Sequence, residues 1–187
     1  MHRRSLALAA FAVATALAAC GDGSDPEAAT TVTEPSAMTS EPTAEPPTAA
    51  VPEALDFTAQ TVTGTTFDGT TLAGKPAVVW FWAPWCPVCK RGAADVTAAA
   101  AELADSVTFV GVAGLSGSLD DMRAFVEDTD TQTFAHVADT DGAVFTRFGV
   151  TQQDTFAFIS ADGTVELVDG YGSDPDLVGV ARERFGL

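Results

Sequence analysis

An unbroken apolar run, Ala77-Val78-Val79-Trp80-Phe81-Trp82, constrains the fold more than any other part of this 187-residue sequence. Branched and aromatic side chains dominate the run and no polar residue interrupts it, which predicts a strand that is buried on both faces. Strands of this kind belong to parallel or mixed sheets that helices cover on both sides. The run therefore indicates a layered α/β domain.

Turn and periodicity signals predict the other elements. Strand patterns cover five further segments: 57–62, 65–67, 107–112, 155–159 and 165–168. Helical spacing or capping residues predict four helices: 92–103, one from Ser118, a short one within 141–148, and a last one that starts at Asp174-Pro175. Thr63-Gly64 and Asp162-Gly163 each read as the turn of a hairpin. The order predicts a mixed central sheet with helices on both faces, preceded by an added N-terminal β-hairpin.

The N-terminal residues have the pattern of an export signal. A cationic start at 2–4 precedes an apolar run of about 14 residues, too short to span a bilayer. The run ends at Leu17-Ala18-Ala19-Cys20, which resembles the lipobox of bacterial lipoproteins. The resemblance implies a signal peptide at 1–19 and a lipid on Cys20 that attaches the protein to the membrane. The alternatives are an ordinary secretory signal and, against the short length, a transmembrane anchor.

The next segment, 20–52, is expected to be a disordered linker behind the lipidated Cys20. Residues 21–52 contain no Lys, Arg, Trp, Tyr or Phe and are rich in Pro, Thr, Ala and Glu. Such a composition cannot bury enough apolar surface to offset the ordering of the chain. The folded domain is therefore predicted at 53–187.

Net charge excludes one class of function. The chain has 26 acidic and 9 basic residues, a formal net charge of −17. A surface of this kind repels phosphate backbones, so nucleic-acid binding driven by electrostatics is excluded.

The segment with the most specific chemical signature is Trp85-Cys86-Pro87-Val88-Cys89. It follows the carboxyl end of the buried strand and begins a helix, a position where sites form in open α/β sheets. The helix N-terminus stabilises a thiolate, and the charge of Lys90 adds to this effect. We expect Cys86 at or outside the cap, where it can be exposed, and Cys89 one turn on and more buried. The spacing predicts a redox-active dithiol.

Other uses of the two cysteines fit less well. A structural disulfide across so short a loop stabilises little. A zinc site needs four ligands, and the domain adds only His136, whose strand-like surroundings favour a core or edge histidine. A peroxidase of the peroxiredoxin type would have Thr three residues before its reactive cysteine, where this chain has Ala83. We expect no metal and no cofactor.

The segment from Trp80 to Cys89 resembles the active-site strand and motif of the TlpA/ResA/DsbE-like thioredoxin family. The likeness continues through 107–115, 138–142 and 148–153, and it covers nearly all of 55–187. Within this family the chain is most similar to actinobacterial DsbE/DsbF-type lipoproteins, which are extracytoplasmic thiol–disulfide oxidoreductases.

This resemblance implies a thioredoxin fold in which Cys86 is the nucleophile and Cys89 is the resolving thiol. It implies four supporting residues around them: Trp85, Pro87, Val88 and Lys90. The partners would be thiols or disulfides of exported proteins and a redox partner protein, and we expect a monomer. The implied location is extracytoplasmic, lipid-anchored to the outer face of the cytoplasmic membrane. Oxidation and reduction of clients both stay open.

The chain departs from the family pattern in the substrate groove, at Gln153, Asp154 and Thr155. The family has a cis-proline where this chain has Asp154, and a cis peptide is costly before any other residue. The carboxylate either lies near Cys86, where it would oppose thiolate formation, or turns into solvent. We predict exchange that is slower or differently selective. The alternative function is a non-enzymatic peptide-binding module of thioredoxin fold with weak or no redox activity.

Overall fold

A computed structural model describes residues 51–170 and 176–187 of the chain. The described residues belong to one compact unit, Ala44–Leu187. The predicted signal peptide, Cys20 and most of the predicted linker lie outside the described residues. In the described part of the chain, none of the helices has the length and apolar character needed to cross a bilayer.

Within the described ranges, seven strands and four helices follow one another along the chain, with single turns of 3₁₀ helix at Glu53–Leu55 and Gly69–Leu72. Their bounds are β1 (Thr58–Gln60), β2 (Thr66–Asp68), β3 (Ala77–Trp82), α1 (Pro87–Glu102), β4 (Thr108–Ala113), α2 (Leu119–Asp128), β5 (Ala135–Ala138), α3 (Ala143–Arg147), β6 (Thr155–Ile159), β7 (Val165–Asp169) and α4 (Leu177–Phe185).

The central sheet has five strands in the order β5-β4-β3-β6-β7. Strands β3, β4 and β5 are parallel, whereas β6 is antiparallel to both β3 and β7. Strand β3 lies in the middle, with Val79 opposite Val110 on one side and Ala157 on the other. Strands β1 and β2 form a separate antiparallel hairpin. The predicted mixed sheet and the added N-terminal hairpin are confirmed.

Alternate residues of β3 contact two different cores. Trp80 and Trp82 belong to the core that includes side chains of α1, α2 and α4. Val79 and Phe81 belong to the core on the other face, which includes side chains of α3. Helices α1 and α2 share a face because both connect parallel strands in one direction along the sheet, and such crossovers are right-handed. Burial on both faces explains why β3 tolerates no polar residue.

One predicted helix start is confirmed and another is wrong. Helix α1 begins at Pro87, within the cysteine motif that was predicted to begin a helix and ahead of the helical spacing at 92–103, because proline suits the first helical position and Cys86 caps the helix. The predicted start of α4 at Asp174 is wrong: α4 begins at Leu177, and the carboxylate of Asp176 accepts the N–H of Gly179 at 2.9 Å. Asp174 and Pro175 themselves lie outside the described residues.

Two predicted local signals are confirmed. The hydroxyl of Ser118 caps α2 by accepting the N–H of Asp121 at 3.1 Å. Gly163 takes a φ of +91° in the turn between β6 and β7, a conformation that residues other than glycine rarely adopt.

Candidate functional site

The two cysteines form a disulfide at the start of α1, directly after the buried strand β3. Their Cα atoms are 5.3 Å apart, within the usual range for a disulfide. Cys86 is the N-cap residue, and its Sγ accepts the N–H of Cys89 at 3.1 Å. A turn in which the N–H of Cys86 donates to the carbonyl of Ala83 at 3.0 Å aims the chain into the helix. The sequence therefore places both sulfurs at a helix N-terminus.

Both cysteine residues are fully buried, with 0% of their surface exposed. The expectation of an exposed Cys86 is wrong. Cys89 lies on the inner face of α1, with Ala93 and Val96 one and two turns further along. Because Sγ of Cys86 is bonded to Cys89, the disulfide holds it at the core side of the helix.

The supporting residues surround the pair with different degrees of exposure. Trp85 is 57% exposed, and Pro87 and Lys90 are also exposed, whereas Val88 is half-buried. The indole N–H of Trp85 donates to the carbonyl oxygen of Leu115 at 3.0 Å. Leu115 has a φ of +54°, which is unusual for leucine and marks a constrained loop after β4.

His136 is a buried core histidine, as predicted. Its Nδ1 accepts the indole N–H of Trp82 at 3.1 Å, and its Nε2 lies 2.9 Å from the carbonyl oxygen of Thr131. These two partners require the neutral ring with the proton on Nε2. Burial lowers the pKa of His136 to about 4, although the hydrogen bond to Thr131 opposes that shift. Trp82 also stacks on Phe125, with ring centroids 4.0 Å apart.

The lowered pKa of His136 predicts loss of stability in mild acid. The unfolded chain takes up a proton below about pH 6.5, whereas the folded chain stays neutral down to about pH 4, so stability falls as pH falls through this window. Between pH 7.5 and pH 5 the loss is about 2 kcal/mol. Urea unfolding of the unmodified protein and of His136→Phe at both pH values measures this loss of unfolding free energy.

The difference between the unmodified protein and His136→Phe isolates the contribution of His136 to the pH dependence of stability. Burial raises the pKa of Asp139 although its carboxylate accepts the N–H groups of Val144 and Phe145, so Asp139 favours the folded state more as pH falls. Asp139 titrates in both proteins and cancels in the difference. An equal loss in both proteins would contradict the assignment to His136.

The backbone N–H and carbonyl groups of Asp154 both form hydrogen bonds at the start of β6 in the central sheet. Its N–H donates to the carbonyl of Phe81 at 2.7 Å, and its carbonyl accepts the N–H of Gly170 at 2.7 Å. Its φ is +60°. Proline holds φ near −65° and has no N–H, so it fits neither feature. The loop follows a path that the proline of the resembled family could not take.

The side chain of Asp154 is buried, with 6% of the residue exposed. Of the two alternatives, a carboxylate turned into solvent is wrong, since its Oδ1 accepts the indole N–H of Trp80 at 3.4 Å. Trp80 shares one buried cluster with Cys86 and Cys89. The structure therefore links the aspartate to the cysteine cluster through an indole ring.

The two neighbours of Asp154 differ in access. Gln153 is half-buried. Thr155 is buried, and its hydroxyl lies 3.1 Å from the carbonyl oxygen of Gln152 and 3.2 Å from the carboxylate of Asp169. Of the three predicted groove residues, Gln153 has the most accessible side chain.

Comparison with known proteins places this arrangement in a family. Residues 51–168, which contain the disulfide and most of the central sheet, match the AhpC/TSA family. The chain belongs to this family. Its relatives in sequence include the soluble secreted antigen MPT53 of Mycobacterium bovis and Mycobacterium tuberculosis, 42% identical over 98 residues. That match covers 52% of this chain and 55% of the relative, so it spans about half the length of MPT53.

Solved structures extend the comparison. MTB DsbF, in its mixed oxidized and reduced forms, is 47% identical, with a TM-score of 0.67 over 71% of this chain and 98% of DsbF. A secreted Mycobacterium tuberculosis disulfide oxidoreductase homologous to E. coli DsbE is 39% identical, with a TM-score of 0.63 over 69% of this chain and 94% of that protein. The predicted DsbE/DsbF-type resemblance is confirmed.

The site of this AhpC/TSA family member includes one residue that the sequence prediction missed. Leu115 follows the carboxyl end of β4, the parallel neighbour of β3, where the sites of such sheets form. The position of Leu115 after a predicted parallel strand could therefore have marked it as a site residue. Its positive φ could not have been predicted from the sequence, because leucine rarely adopts that conformation.

Proposed function

We propose that this protein is a thiol–disulfide oxidoreductase that acts on exported proteins through Cys86 and Cys89. The observation that carries the proposal is the disulfide at the N-cap of α1, beside the exposed Trp85. DsbF and the secreted disulfide oxidoreductase support it, because they share the fold at 47% and 39% identity.

In the oxidising direction, a client thiolate attacks Sγ of Cys86. The Cys86–Cys89 bond breaks, and Cys89 leaves with the electron pair as a thiolate while a client–Cys86 disulfide forms. A second client thiolate then attacks the client sulfur of that disulfide and releases Cys86 as a thiolate. The client loses two electrons and the pair gains them. The reducing direction is the reverse sequence, with Cys86 as the nucleophile and Cys89 as the resolving thiol.

The helix terminus stabilises the thiolate that each direction requires at Cys86. The N–H of Cys89 already donates to this sulfur at 3.1 Å, and a charged sulfur would strengthen that hydrogen bond. The positive end of the helix dipole acts in the same sense. Lys90 is exposed and follows Cys89 directly, so its ammonium adds a mobile positive charge nearby.

The protein is proposed to work outside the cytoplasm, attached to the membrane by a lipid on Cys20, with residues 21–52 as the spacer and 53–187 as the working domain. The lipobox-like Leu17-Ala18-Ala19-Cys20 supports the anchor. An oxidising compartment favours transfer of the disulfide to clients. A redox partner protein would then reoxidise the pair.

A glutathione titration tests the proposal. Trp85 precedes Cys86 and is largely exposed, so reduction of the disulfide is expected to change its fluorescence. In mixtures of reduced and oxidised glutathione, the signal should follow a single two-electron midpoint. A variant with serine at both cysteines is the control and should give a flat signal. A constant signal in the unmodified protein, together with no thiol alkylation after dithiothreitol, would refute the proposal.

The second candidate, a non-enzymatic peptide-binding module, is favoured by one observation. Both cysteines are fully buried, so a client thiolate reaches Cys86 only after local movement. Slower or differently selective exchange, with Asp154 buried beside Trp80, is the intermediate possibility. The same titration separates the candidates, because a binding module would keep its disulfide at every glutathione ratio.

A further inference from the structure

An open groove of about 200 Å³ lies between the segment around the start of α1 and helix α2. Trp85 and Lys90, which flank the two cysteines in sequence, line one side. Asp121 and Asp128 of α2 line the other. Phe125, only 1% exposed, lies at the bottom, so the base of the groove is apolar. Binding sites for whole small molecules are usually larger, about 300–1,000 Å³, so this volume suits a single side chain.

The wall formed by Trp85 is held in place. The hydrogen bond from its indole N–H to the carbonyl of Leu115 links the ring to the loop after β4. The face of a tryptophan ring attracts a cation that approaches within about 6 Å.

The charges of the groove are not compensated within the described part of the chain. Asp121 and Asp128 are seven residues apart on α2, so both project from one face of the helix. The three ion pairs recorded among the described residues are Arg123–Asp120, Arg182–Glu102 and Arg184–Glu166. Neither carboxylate of the groove takes part in them, nor does Lys90. The groove therefore carries an excess of negative charge.

Asp128 also lies where a negative charge is unfavourable. It is the last residue of α2, and α2 has no basic residue in its last turn. The negative end of the helix dipole opposes a carboxylate at that position and attracts a cation. A positive group in the groove would relieve this repulsion.

We propose that the groove binds a lysine or arginine side chain of the client, close in sequence to the client cysteine that reacts with Cys86. The inference rests on the proposed oxidoreductase function and adds a client class, cysteines with a basic neighbour. The stem of the side chain contacts the apolar base and the Trp85 ring, and its charge lies between the carboxylates of Asp121 and Asp128.

The test measures how fast the oxidised protein is reduced by three peptides with one cysteine. The peptides have Arg, Gln or Leu two positions from the cysteine, and their reaction with oxidised glutathione corrects for intrinsic thiol reactivity. We expect the Arg peptide to react about threefold to fivefold faster than the Gln peptide at low salt. High salt should remove most of this difference. In the double variant Asp121→Asn, Asp128→Asn the Arg-to-Gln ratio should fall to about one.

The double variant Glu127→Gln, Asp130→Asn is the matched control, because it removes the same two negative charges from exposed positions in and just after α2 that lie outside the groove. Its Arg-to-Gln ratio should equal that of the unmodified protein. An unchanged ratio in the double variant would overturn the proposal, and so would fastest reaction with the Leu peptide, which would indicate an apolar subsite. Reduction by dithiothreitol separates two failures: if it occurs while the peptides react equally, only the client class is wrong, and if it does not occur, the proposed function is wrong.

Discussion

Replacement of Cys86 by serine is expected to abolish thiol–disulfide exchange with protein clients, with a fall in rate of about a thousandfold or more. Serine cannot form the disulfide or the thiolate on which both directions of the proposed reaction depend. Cys89 remains, but it lies one turn into α1, where its sulfur lacks the N-cap position. The measurement is the second-order rate constant for reaction with a reduced and with an oxidised client protein.

Replacement of Cys89 by serine is the informative counterpart. Cys86 keeps its position at the helix terminus and can still attack a client disulfide, but nothing in the pair resolves the product. We expect stable client–Cys86 disulfides that are visible on non-reducing gels and lost on addition of dithiothreitol. Accumulation with the Cys86 variant and not with the Cys89 variant would reverse the assigned roles.

A Gly111→Ala substitution is expected to destabilise the domain by about 2–3 kcal/mol and to lower the melting temperature by about 10 °C. Gly111 in β4 lies directly opposite His136 in β5. A Cβ at position 111 would lie 2.6 Å from Cε1 of His136 and 2.9 Å from Nε1 of Trp82. Both rings are buried and hydrogen-bonded to each other, so neither can move without loss of that bond.

Gly92→Ala is the control for that substitution. Gly92 lies inside α1, and an added Cβ would have no atom within 4 Å. Alanine is a better helix former, so this variant should be more stable by about 0.5–1 kcal/mol. Thermal unfolding followed by circular dichroism compares the two variants. Equal stability of Gly111→Ala and the unmodified protein would mean that the Trp82–His136 pair has room to move.

Local signals predicted most of the fold, because each is decided within a few residues. The run Ala77–Trp82 became the central strand because its branched and aromatic side chains favour a strand, and a strand covered on both faces buries all six of them. Gly163 and Ser118 became a turn and a cap through conformations and hydrogen bonds that span three or four residues. The start of α4 was wrong because Asp174 and Asp176 both suit a cap, and the local sequence does not distinguish them.

The candidate site was predictable in its chemistry and less so in its surroundings. The spacing of Cys86 and Cys89 and their place after β3 indicated a disulfide at a helix terminus, which the structure contains. Their complete burial was not predicted, because it depends on packing against elements distant in sequence. Likewise, Trp85 and Leu115 are 30 residues apart, and only the parallel pairing of β3 and β4 brings them together.

The sequence by itself determined the α/β class, the order of the elements and the identity of the disulfide-bonded pair, because apolar periodicity, turn residues and the spacing of two cysteines act over short distances. Tertiary structure alone decided that Asp154 is buried against Trp80, that burial keeps His136 neutral beside Trp82, and that Asp121 and Asp128 share a groove with Trp85 and Lys90. The physical reason is the same in each case. The partners come from different strands and helices, and their charges and hydrogen bonds depend on a juxtaposition that exists only after the sheet has assembled.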